Sequence, residues 1–200
     1  SKGRVRVYQY IDDWNKIGND IEGKIRLTIK SGWSVSLSGD GTIVAIGTPH
    51  YSESYNVNGS GHVRVFKYIV DEWIQMGVDI DGEAGGDYSG WSVSLSSDGT
   101  TVAIGAINNG GNGSYSGHVR VFQWNDSSWN QMGDDIDGEA VDDQSGWSVS
   151  LSGDGTTVAI GARRNYGYIY LNGQWKGHVR VYQWNDSSWN QIGPDIDGEA

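Results

Sequence analysis

The string SGWSVSLSGDGTTVAIGA at Ser145–Ala162 decides the fold, because nearly the same string occurs three times. Ser89–Ala106 differs from it at one position, and Ser31–Thr48 reads SGWSVSLSGDGTIVAIGT. A second string, GHVRVYQWNDSSWNQIGPDIDGEA at Gly177–Ala200, alternates with the first along the chain. Its related copies begin at Gly117, Gly61 and Gly3. Self-similarity at a fixed period is the signature of a repeat protein.

The first string predicts two antiparallel strands joined by a tight turn. Trp33, Val35 and Leu37 share one face and the intervening serines share the other, a period of two that is typical of a strand. Gly39–Gly41 contains an Asp-Gly pair, which suits the positive φ of a hairpin turn. Ile43–Gly47 is a continuous apolar run, which predicts a strand that is buried on both faces.

The second string predicts two further strands. In its first copy Val5 and Val7 alternate with arginines, and Trp14–Ile21 follows as a less regular strand. No helical periodicity of useful length occurs, so the predicted class is all-β. Four antiparallel strands per unit, with short hairpins and one longer loop, describe a β-propeller blade. An open β repeat array is the alternative architecture.

The repeats also predict the domain organisation. Units of 56 to 60 residues are too small to bury an independent core, so neighbouring units must stabilise one another. The predicted boundaries are a half blade at 1–30 and complete blades at 31–88, 89–144 and 145–200. Together they form one repeat domain, which we expect to be part of a larger chain or assembly. Three and a half blades cannot close a ring, since propellers generally use four to eight. The strand edge of a half blade invites pairing with another chain.

Charge and composition exclude several partners. The chain has 14 basic and 25 acidic residues, a net charge of −11 that repels nucleic acid and anionic membranes. We therefore expect no nucleic-acid partner. The absence of cysteine excludes disulfides and thiolate metal sites. No apolar run approaches the roughly 18 residues of a membrane span, so no membrane insertion is expected.

The order Gly-Trp-Ser-Val, Asp-Gly, Ala-Ile-Gly-Ala and Gly-His-Val-Arg-Val-Phe/Tyr resembles the FG-GAP repeat over nearly the whole chain. That repeat builds the propeller of integrin α-subunits and occurs in large surface proteins of bacteria, algae and protists. The resemblance implies a propeller fold and an extracellular or cell-surface location. The family's leading Phe is replaced by Ser31, Ser89 and Ser145. Its GAP motif survives as Gly47-Thr48-Pro49, Gly105-Ala106-Ile107 and Gly161-Ala162-Arg163.

The family's calcium loop is not carried over to this chain. A D-x-D-x-D-G loop supplies several carboxylates because Ca²⁺ takes six or more oxygen ligands. Here the corresponding hairpin turns contain a single carboxylate each, from Asp40, Asp98 and Asp154.

An acidic segment after each second string is the candidate metal site. Its carboxylates alternate in sequence, which could place them on one side of a strand end where calcium binds. The alternative is a solvated acidic turn that keeps a strand edge soluble. The candidate residues are Asp79, Asp81, Glu83, Asp87, Asp135, Asp137, Glu139 and Asp143, with a partial copy at Asp195, Asp197 and Glu199. No other cofactor is expected.

The repeated histidines and tryptophans are interpreted as structural. His62, His118 and His178 occur once per repeat after a glycine, so each should lie at a strand start in a different blade. The tryptophans recur at fixed repeat positions, which favours packing between blades.

A third candidate site is the loop 163–176. Its aromatic residues do not follow the repeat, and loops of this kind often carry binding functions. The candidate ligand-binding residues are Tyr166, Tyr168, Tyr170 and Trp175.

Four Asn-x-Ser sequons are candidate N-glycosylation sites, at Asn58, Asn112, Asn125 and Asn185. All four fall in predicted exposed turns or loops. In a eukaryotic source we expect a glycan on at least Asn125 and Asn185.

These observations favour a non-enzymatic extracellular structural or adhesive protein that associates with further copies of itself, as a fibre or surface array. Near-identical repeats suit lattice contacts, whereas a single specific pocket tends to make one blade diverge. The alternative is a glycan- or protein-binding propeller that uses the loop 163–176. A hydrolase is a third hypothesis, but the chain has no nucleophile elbow, HExxH, P-loop or GxGxxG motif.

Overall fold

The computed structural model describes residues 3–24, 30–52, 59–164 and 176–199. Within these ranges every regular element is a β-strand, which confirms the predicted all-β class. None of the described segments is a helix with the length and apolar character that crossing a membrane requires.

The described strands form one hairpin and three five-stranded antiparallel sheets. The N-terminal hairpin consists of β1 (Arg4–Tyr10) and β2 (Trp14–Glu22). Sheet 1 consists of β3 (Ser34–Leu37), β4 (Ile43–Thr48), β5 (His62–Ile69), β6 (Glu72–Gln75) and β7 (Ile80–Asp81). Sheet 2 consists of β8 (Ser89–Leu95), β9 (Thr101–Ala106), β10 (His118–Trp124), β11 (Trp129–Gln131) and β12 (Ile136–Asp137). Sheet 3 consists of β13 (Ser145–Leu151), β14 (Thr157–Ala162), β15 (His178–Trp184), β16 (Trp189–Gln191) and β17 (Ile196–Asp197).

Each sheet follows the strand order expected of a propeller blade, with one addition. In sheet 2 the order is β8-β9-β10-β11, and β12 pairs with the same edge of β10. Phe122 is opposite Gln131 near the hairpin, and His118 is opposite Asp137 at the far end. The predicted fourth strand is therefore two short strands separated by an acidic bend.

Consecutive sheets pack face to face and share their cores. Val93 and Leu95 of sheet 2 lie in one buried cluster with Ile43, Val63 and Val65 of sheet 1. The equivalent cluster between sheets 2 and 3 and a third between the N-terminal hairpin and sheet 1 repeat this arrangement. Each buried cluster of the described residues combines side chains of two neighbouring units, as expected for units that stabilise one another by stacking.

The second strand of each sheet shows how this stacking buries the chain. All six residues of β4 and of β9 are buried, which confirms the prediction of a strand covered on both faces. In β14 burial alternates, although its sequence TVAIGA is that of β9. Sheet 3 has no further described sheet on its outer face, so one face of β14 remains partly accessible.

The opposite end of the stack is also open. Val35 and Leu37 of β3 are 55% and 48% exposed, whereas the equivalent Val93 and Leu95 are 8% and 7% exposed. The N-terminal hairpin supplies only the outer two strands of a blade, so it leaves the inner strands of sheet 1 uncovered. The described part of the molecule is an open stack and not a closed ring.

Tryptophan and arginine side chains join each sheet to the one before it. The indole nitrogens of Trp129 and Trp189 donate to the main-chain oxygens of Met76 and Met132, at 2.9 and 2.8 Å. Trp73 makes the same bond to the hairpin, at 3.0 Å from the oxygen of Ile17. These bonds confirm that the tryptophans of the second string pack between blades.

The arginines repeat in the same way. Nη2 of Arg64, Arg120 and Arg180 donates to a main-chain oxygen of the preceding unit, and the acceptors are Glu22, Asp81 and Asp137.

Candidate functional site

A buried histidine begins the third strand of each sheet and faces the acidic segments. His62, His118 and His178 are the first residues of β5, β10 and β15, and their side chains are each 1% exposed. The predicted strand-start position is therefore the observed one. Because the outer strands run back antiparallel, the start of the third strand lies beside the last two residues of the sheet. The acidic bend that precedes those two residues comes close to the histidine.

The cluster at His118 combines residues of two units. Nδ1 of His118 is 3.3 Å from Oδ2 of Asp135 and 4.0 Å from Oε2 of Glu83. Asp135 belongs to the bend of sheet 2, whereas Glu83 follows the last strand of sheet 1. Nη1 of Arg120 lies 3.7 Å from Oε1 of Glu83 and holds that carboxylate at the junction.

Sheet 3 repeats this cluster with small differences. Nδ1 of His178 is 3.5 Å from Oδ2 of Asp195 and 3.9 Å from Oε2 of Glu139. Arg180 lies 3.7 Å from Glu139, as Arg120 does from Glu83. The two clusters are therefore equivalent in residue types and nearly equivalent in geometry.

In the cluster at His62 of sheet 1, a lysine replaces the glutamate. Nδ1 of His62 is 3.3 Å from Oδ2 of Asp79, but Lys24 occupies the position of Glu83 and Glu139 in the repeat. Nζ of Lys24 lies 2.7 Å from the same oxygen of Asp79. In this cluster a lysine ammonium therefore takes the place of the glutamate carboxylate.

Burial dominates the protonation of the histidines. It lowers the pKa of His62 to about 4, although the charge of Asp79 acts in the opposite direction. It also lowers the pKa of His118, against the opposing charge of Asp135. Partial burial raises the pKa of Glu83. Both histidines are consequently neutral near pH 7, and one nitrogen of each neutral ring carries a lone pair.

Only some of the eight predicted metal ligands lie beside a histidine. Those that lie beside a histidine are Asp79, Asp81, Glu83, Asp135 and Glu139. Asp87 and Asp143 instead accept hydrogen bonds from the main-chain nitrogens of Ala84 and Ala140, at 2.9 and 2.8 Å, and close the turns. Asp137 is partly buried in β12, and this burial raises its pKa.

From the sequence, the histidines were predicted to be structural and only the carboxylates were predicted to bind a metal. A signal was present, because each histidine precedes its bend aspartate by the same number of residues in all three copies, as in His118 and Asp135. An antiparallel return from the third strand brings two such positions together. The approach of Glu83 from the preceding unit has no comparable local signal.

The hairpin turns of the first string do not fit the family's calcium loop. Oδ1 of Asp40 accepts hydrogen bonds from Oγ of Ser38 at 2.7 Å and from the main-chain nitrogen of Thr42 at 2.9 Å. Hydrogen bonds from these two residues lower the pKa of Asp40 to about 2. Asp98 and Asp154 accept equivalent hydrogen bonds. Each carboxylate is used to close its turn, and no second carboxylate accompanies it there.

The four aromatic residues predicted to bind a ligand, Tyr166, Tyr168, Tyr170 and Trp175, lie outside the described residues. The described residues beside them line a groove of about 460 Å³ on sheet 3, which includes Trp147, Arg163 and Lys176. The guanidinium of Arg163 stacks 3.5 Å from the ring centre of Trp147. Ligand binding by this loop stays a prediction.

Three of the four sequons lie in described turns. Asn125 and Asn185 are exposed, and Oδ1 of each accepts a main-chain hydrogen bond 2.9 Å long from Ser128 and Ser188. Nδ2 of Asn112 donates to the oxygen of Gly138 at 2.9 Å, so a glycan there would require this bond to break. Asn58 lies outside the described residues. Glycosylation stays a prediction at all four positions.

Comparisons with known proteins agree with the repeat architecture. Residues 78–122 match the family described as FG-GAP repeat. Among curated protein sequences, none is significantly similar to the chain.

Two solved structures show the likeness in fold. A Bacteroides uniformis protein named as a 6-phosphogluconolactonase superposes with a TM-score of 0.60 at 14% identity, over 97% of this chain and 51% of that one. The β-propeller domain of Cps50 (Swd1) from Myceliophteria thermophila superposes with a TM-score of 0.52 at 10% identity, over 98% of this chain and 56% of that one. The present chain thus spans about half the length of these structures.

The described residues form blade-like sheets of the β-propeller type that do not close. The predicted fold is confirmed, and residues 78–122 bear out the predicted FG-GAP-type repeat. Such repeats are typical of binding or structural repeat proteins.

Proposed function

We propose that this chain is a non-enzymatic structural or adhesive protein of the cell surface or extracellular space, which associates with further copies of itself end to end. FG-GAP propeller repeats are generally non-enzymatic and are typical of extracellular or surface proteins. This supports the proposed non-enzymatic role and the proposed location. The proposed end-to-end association rests on one observation. The two ends of the stack expose outer-strand surfaces that are equivalent to surfaces buried against each other between its sheets.

The C-terminal end face is the uncovered face of sheet 3, formed by Val179, Val181, Ile192 and Ile196. Val179 and Ile196 are 36% and 61% exposed. The equivalent residues of sheet 2, Val119 and Ile136, are 0% and 5% exposed because sheet 3 covers them. The C-terminal end face therefore repeats an apolar surface that elsewhere is fully packed.

The N-terminal end face consists of Tyr8, Tyr10 and Trp14. Trp14 is 66% exposed, whereas Trp73 at the equivalent position of sheet 1 is 4% exposed. Tyr10 and Trp14 already pack edge to face with ring centres 5.5 Å apart, close to the 5.3 Å of Tyr68 and Trp73. The aromatic pair at the N-terminal end face thus has nearly the same ring separation as the pair that sheet 1 packs against the hairpin, with a steeper angle between the rings.

The two end faces also match in detail. A Cβ atom on Gly133 would lie 2.7 Å from the indole of Trp184 of the next sheet. Gly193, at the same repeat position in sheet 3, has nothing within 4 Å. In an end-to-end pair, Tyr10 of one copy fills the space over Gly193 of the other. Its Trp14 then donates to the main-chain oxygen of Ile192, as Trp189 does to Met132.

The test is the assembly state of the 200-residue chain, by light scattering and electron microscopy over a range of concentrations. We expect elongated species that grow with concentration, and a monomer when Ile196 is changed to Asp or Trp14 to Ala. Both residues are exposed in the single copy, so these changes leave its fold intact.

Val78→Asp is the matched control for Ile196→Asp. Val78 is 81% exposed away from both end faces, and Asp134 occupies the same repeat position in sheet 2. This variant should assemble like the unchanged chain. A monomeric unchanged chain at its highest soluble concentration, or assembly that survives Ile196→Asp and Trp14→Ala, would overturn the proposal.

The groove beside Trp147 and Arg163, which shares Val179 and Ile196 with the C-terminal end face, supports a second candidate, a glycan- or protein-binding module that includes Tyr168 and Trp175. An aromatic ring paired with a cation beside a cleft suits sugars and polar ligands. Changing Tyr168 and Trp175 to Ala should abolish retention on a glycan array while assembly is unchanged. Retention that persists in this variant rules the loop out as the binding site.

A further inference from the structure

We propose that the clusters at His118 and His178 each bind one divalent transition-metal ion of the zinc class, so that a metal ion joins each of these sheets to the unit before it. The ligands are Glu83, His118 and Asp135 at the first site, and Glu139, His178 and Asp195 at the second. This inference does not depend on association between copies.

The distances within the clusters suit such an ion. In each cluster one imidazole nitrogen and two carboxylate oxygens all lie within 4.8 Å of one another. Zinc binds nitrogen and oxygen at about 2.0–2.2 Å, which separates neighbouring tetrahedral ligands by roughly 3.3–3.6 Å. Nδ1 of His118 is 3.3 Å from Asp135 and 4.0 Å from Glu83. Glu83 is the more exposed member, with its side chain 45% accessible, so a small rotation brings it into range.

The state of His118 points to a ligand independently of the acidic residues. Its side chain is 1% exposed, and Nδ1 makes no well-aligned hydrogen bond among the described residues, although Oδ2 of Asp135 lies 3.3 Å away. A buried polar atom that is poorly satisfied is costly, and most such atoms in proteins have a partner, an ion or a water. Nδ1 of His118 lies within 4.0 Å of two carboxylate groups. A bound cation would satisfy all three groups at once.

The types of ligand atom in the clusters indicate which class of metal ion they would bind. Calcium takes six to eight oxygen ligands, whereas an imidazole nitrogen beside carboxylates suits zinc and related transition metals. With three protein ligands the coordination is completed by water. The site is distinct from the hairpin turns at Asp40, Asp98 and Asp154, where the family's calcium loop would lie.

The cluster at His62 differs from the two proposed metal sites. Lys24 replaces the glutamate of the other clusters, and its ammonium lies 2.7 Å from Asp79. Partial burial lowers the pKa of Lys24, but the hydrogen bond and charge of Asp79 outweigh it, so that the pKa is raised overall. The lysine remains charged and supplies the positive charge that we assign to a metal ion in the other two clusters. The expected stoichiometry is therefore two ions per chain.

The position of the clusters gives the metal a structural role. Glu83 comes from the unit before His118 and Asp135, so a shared ion links consecutive sheets. A ligand that binds only the folded state raises the free energy of unfolding. Zinc should therefore raise the melting temperature of the stack.

The experiment titrates zinc chloride into the chelator-treated 200-residue chain, by calorimetry and thermal unfolding. We expect two equivalents bound and a higher melting temperature. Glu83→Gln should bind one equivalent, and Glu83→Gln with Glu139→Gln should bind none. Lys24→Glu should bind three, because it rebuilds the missing ligand. Glu72→Gln, an exposed change in β6, is the control and should bind two.

The glutamates are partly exposed, so these variants fold, which circular dichroism would verify. Cobalt(II) provides a second readout, since its visible spectrum in the unchanged chain should show a nitrogen-containing low-symmetry site that both glutamine changes remove. Absence of zinc binding, a stoichiometry that Glu83→Gln does not reduce, or equal binding of calcium chloride by the same residues would overturn the proposal.

Discussion

At the scale of single residues, the repeat separates the effect of a side chain from the effect of its surroundings. Trp14 and Trp73 are the same residue at the same repeat position, yet one is exposed and the other buried. His62 and His118 share a buried strand start, yet Lys24 faces the first cluster and Glu83 the second. Differences between such pairs can be assigned to the neighbouring unit, because the local sequence is nearly constant.

Protonation of His62 predicts a pH dependence of stability. Its pKa is about 4 in the folded chain and about 6.5 when unfolded, and Asp79, Lys24 and Arg64 are the charged groups around it. Between these values the unfolded chain binds a proton that the folded chain does not. Stability is therefore fully present above about pH 6.5 and falls as the pH decreases towards 4, by at most about 1.4 kcal/mol per pH unit from this group.

Urea unfolding at pH 7, 6 and 5, with a chelator present, measures this dependence. His62→Gln should lower stability at pH 7 but flatten the decline towards pH 5. The same decline in both proteins would show that burial of His62 is not its source.

At the scale of strands and sheets, local pattern determines the elements and stacking determines their burial. The alternation in β3, β8 and β13 is the same in sequence, but only β8 and β13 have their apolar residues covered. Leu95 lies 7% exposed in the cluster between sheets 1 and 2, whereas Leu37 at the same repeat position is 48% exposed.

Leucine-to-alanine changes should therefore have unequal effects at these two positions. Leu95→Ala leaves a cavity between two sheets and should lower the free energy of unfolding by about 2–5 kcal/mol. Leu37→Ala removes a half-exposed side chain and should cost less than about 1 kcal/mol. Urea titration of both variants compares them directly. Equal losses would mean that the free face of β3 is covered in solution.

The sequence is sufficient to predict most of the elements. Alternation in Trp33–Leu37, the Asp-Gly turn and the apolar run of Ile43–Gly47 specify strands and hairpins locally, so their positions could be derived without a structure. The division of the outer strand into β11 and β12 was missed, although Gly133 has a positive φ and the equivalent Gly193-Pro194 pair is a turn signal. The approach of Glu83 to His118 could not be derived, because it depends on the spacing between two sheets.

At the scale of the whole molecule, the described sheets form a stack that is open at both ends. Val179 and Ile196 at one end and Trp14 at the other are uncovered, whereas their equivalents inside the stack are buried against a neighbouring unit. This correspondence is the basis of the proposed end-to-end association. The proposed metal sites lie at the junctions between units, so bound ions would stiffen such an assembly without forming its contacts.

The bonds from Trp129 and Trp189 to the preceding sheet have an evolutionary consequence. Each uses a main-chain acceptor at a fixed repeat position, so the same tryptophan contact recurs at each of these junctions between units. Duplication or deletion of one unit in the gene by unequal recombination then leaves every remaining junction intact. Molecular length becomes a property that selection can change in single steps, without the invention of a new interface.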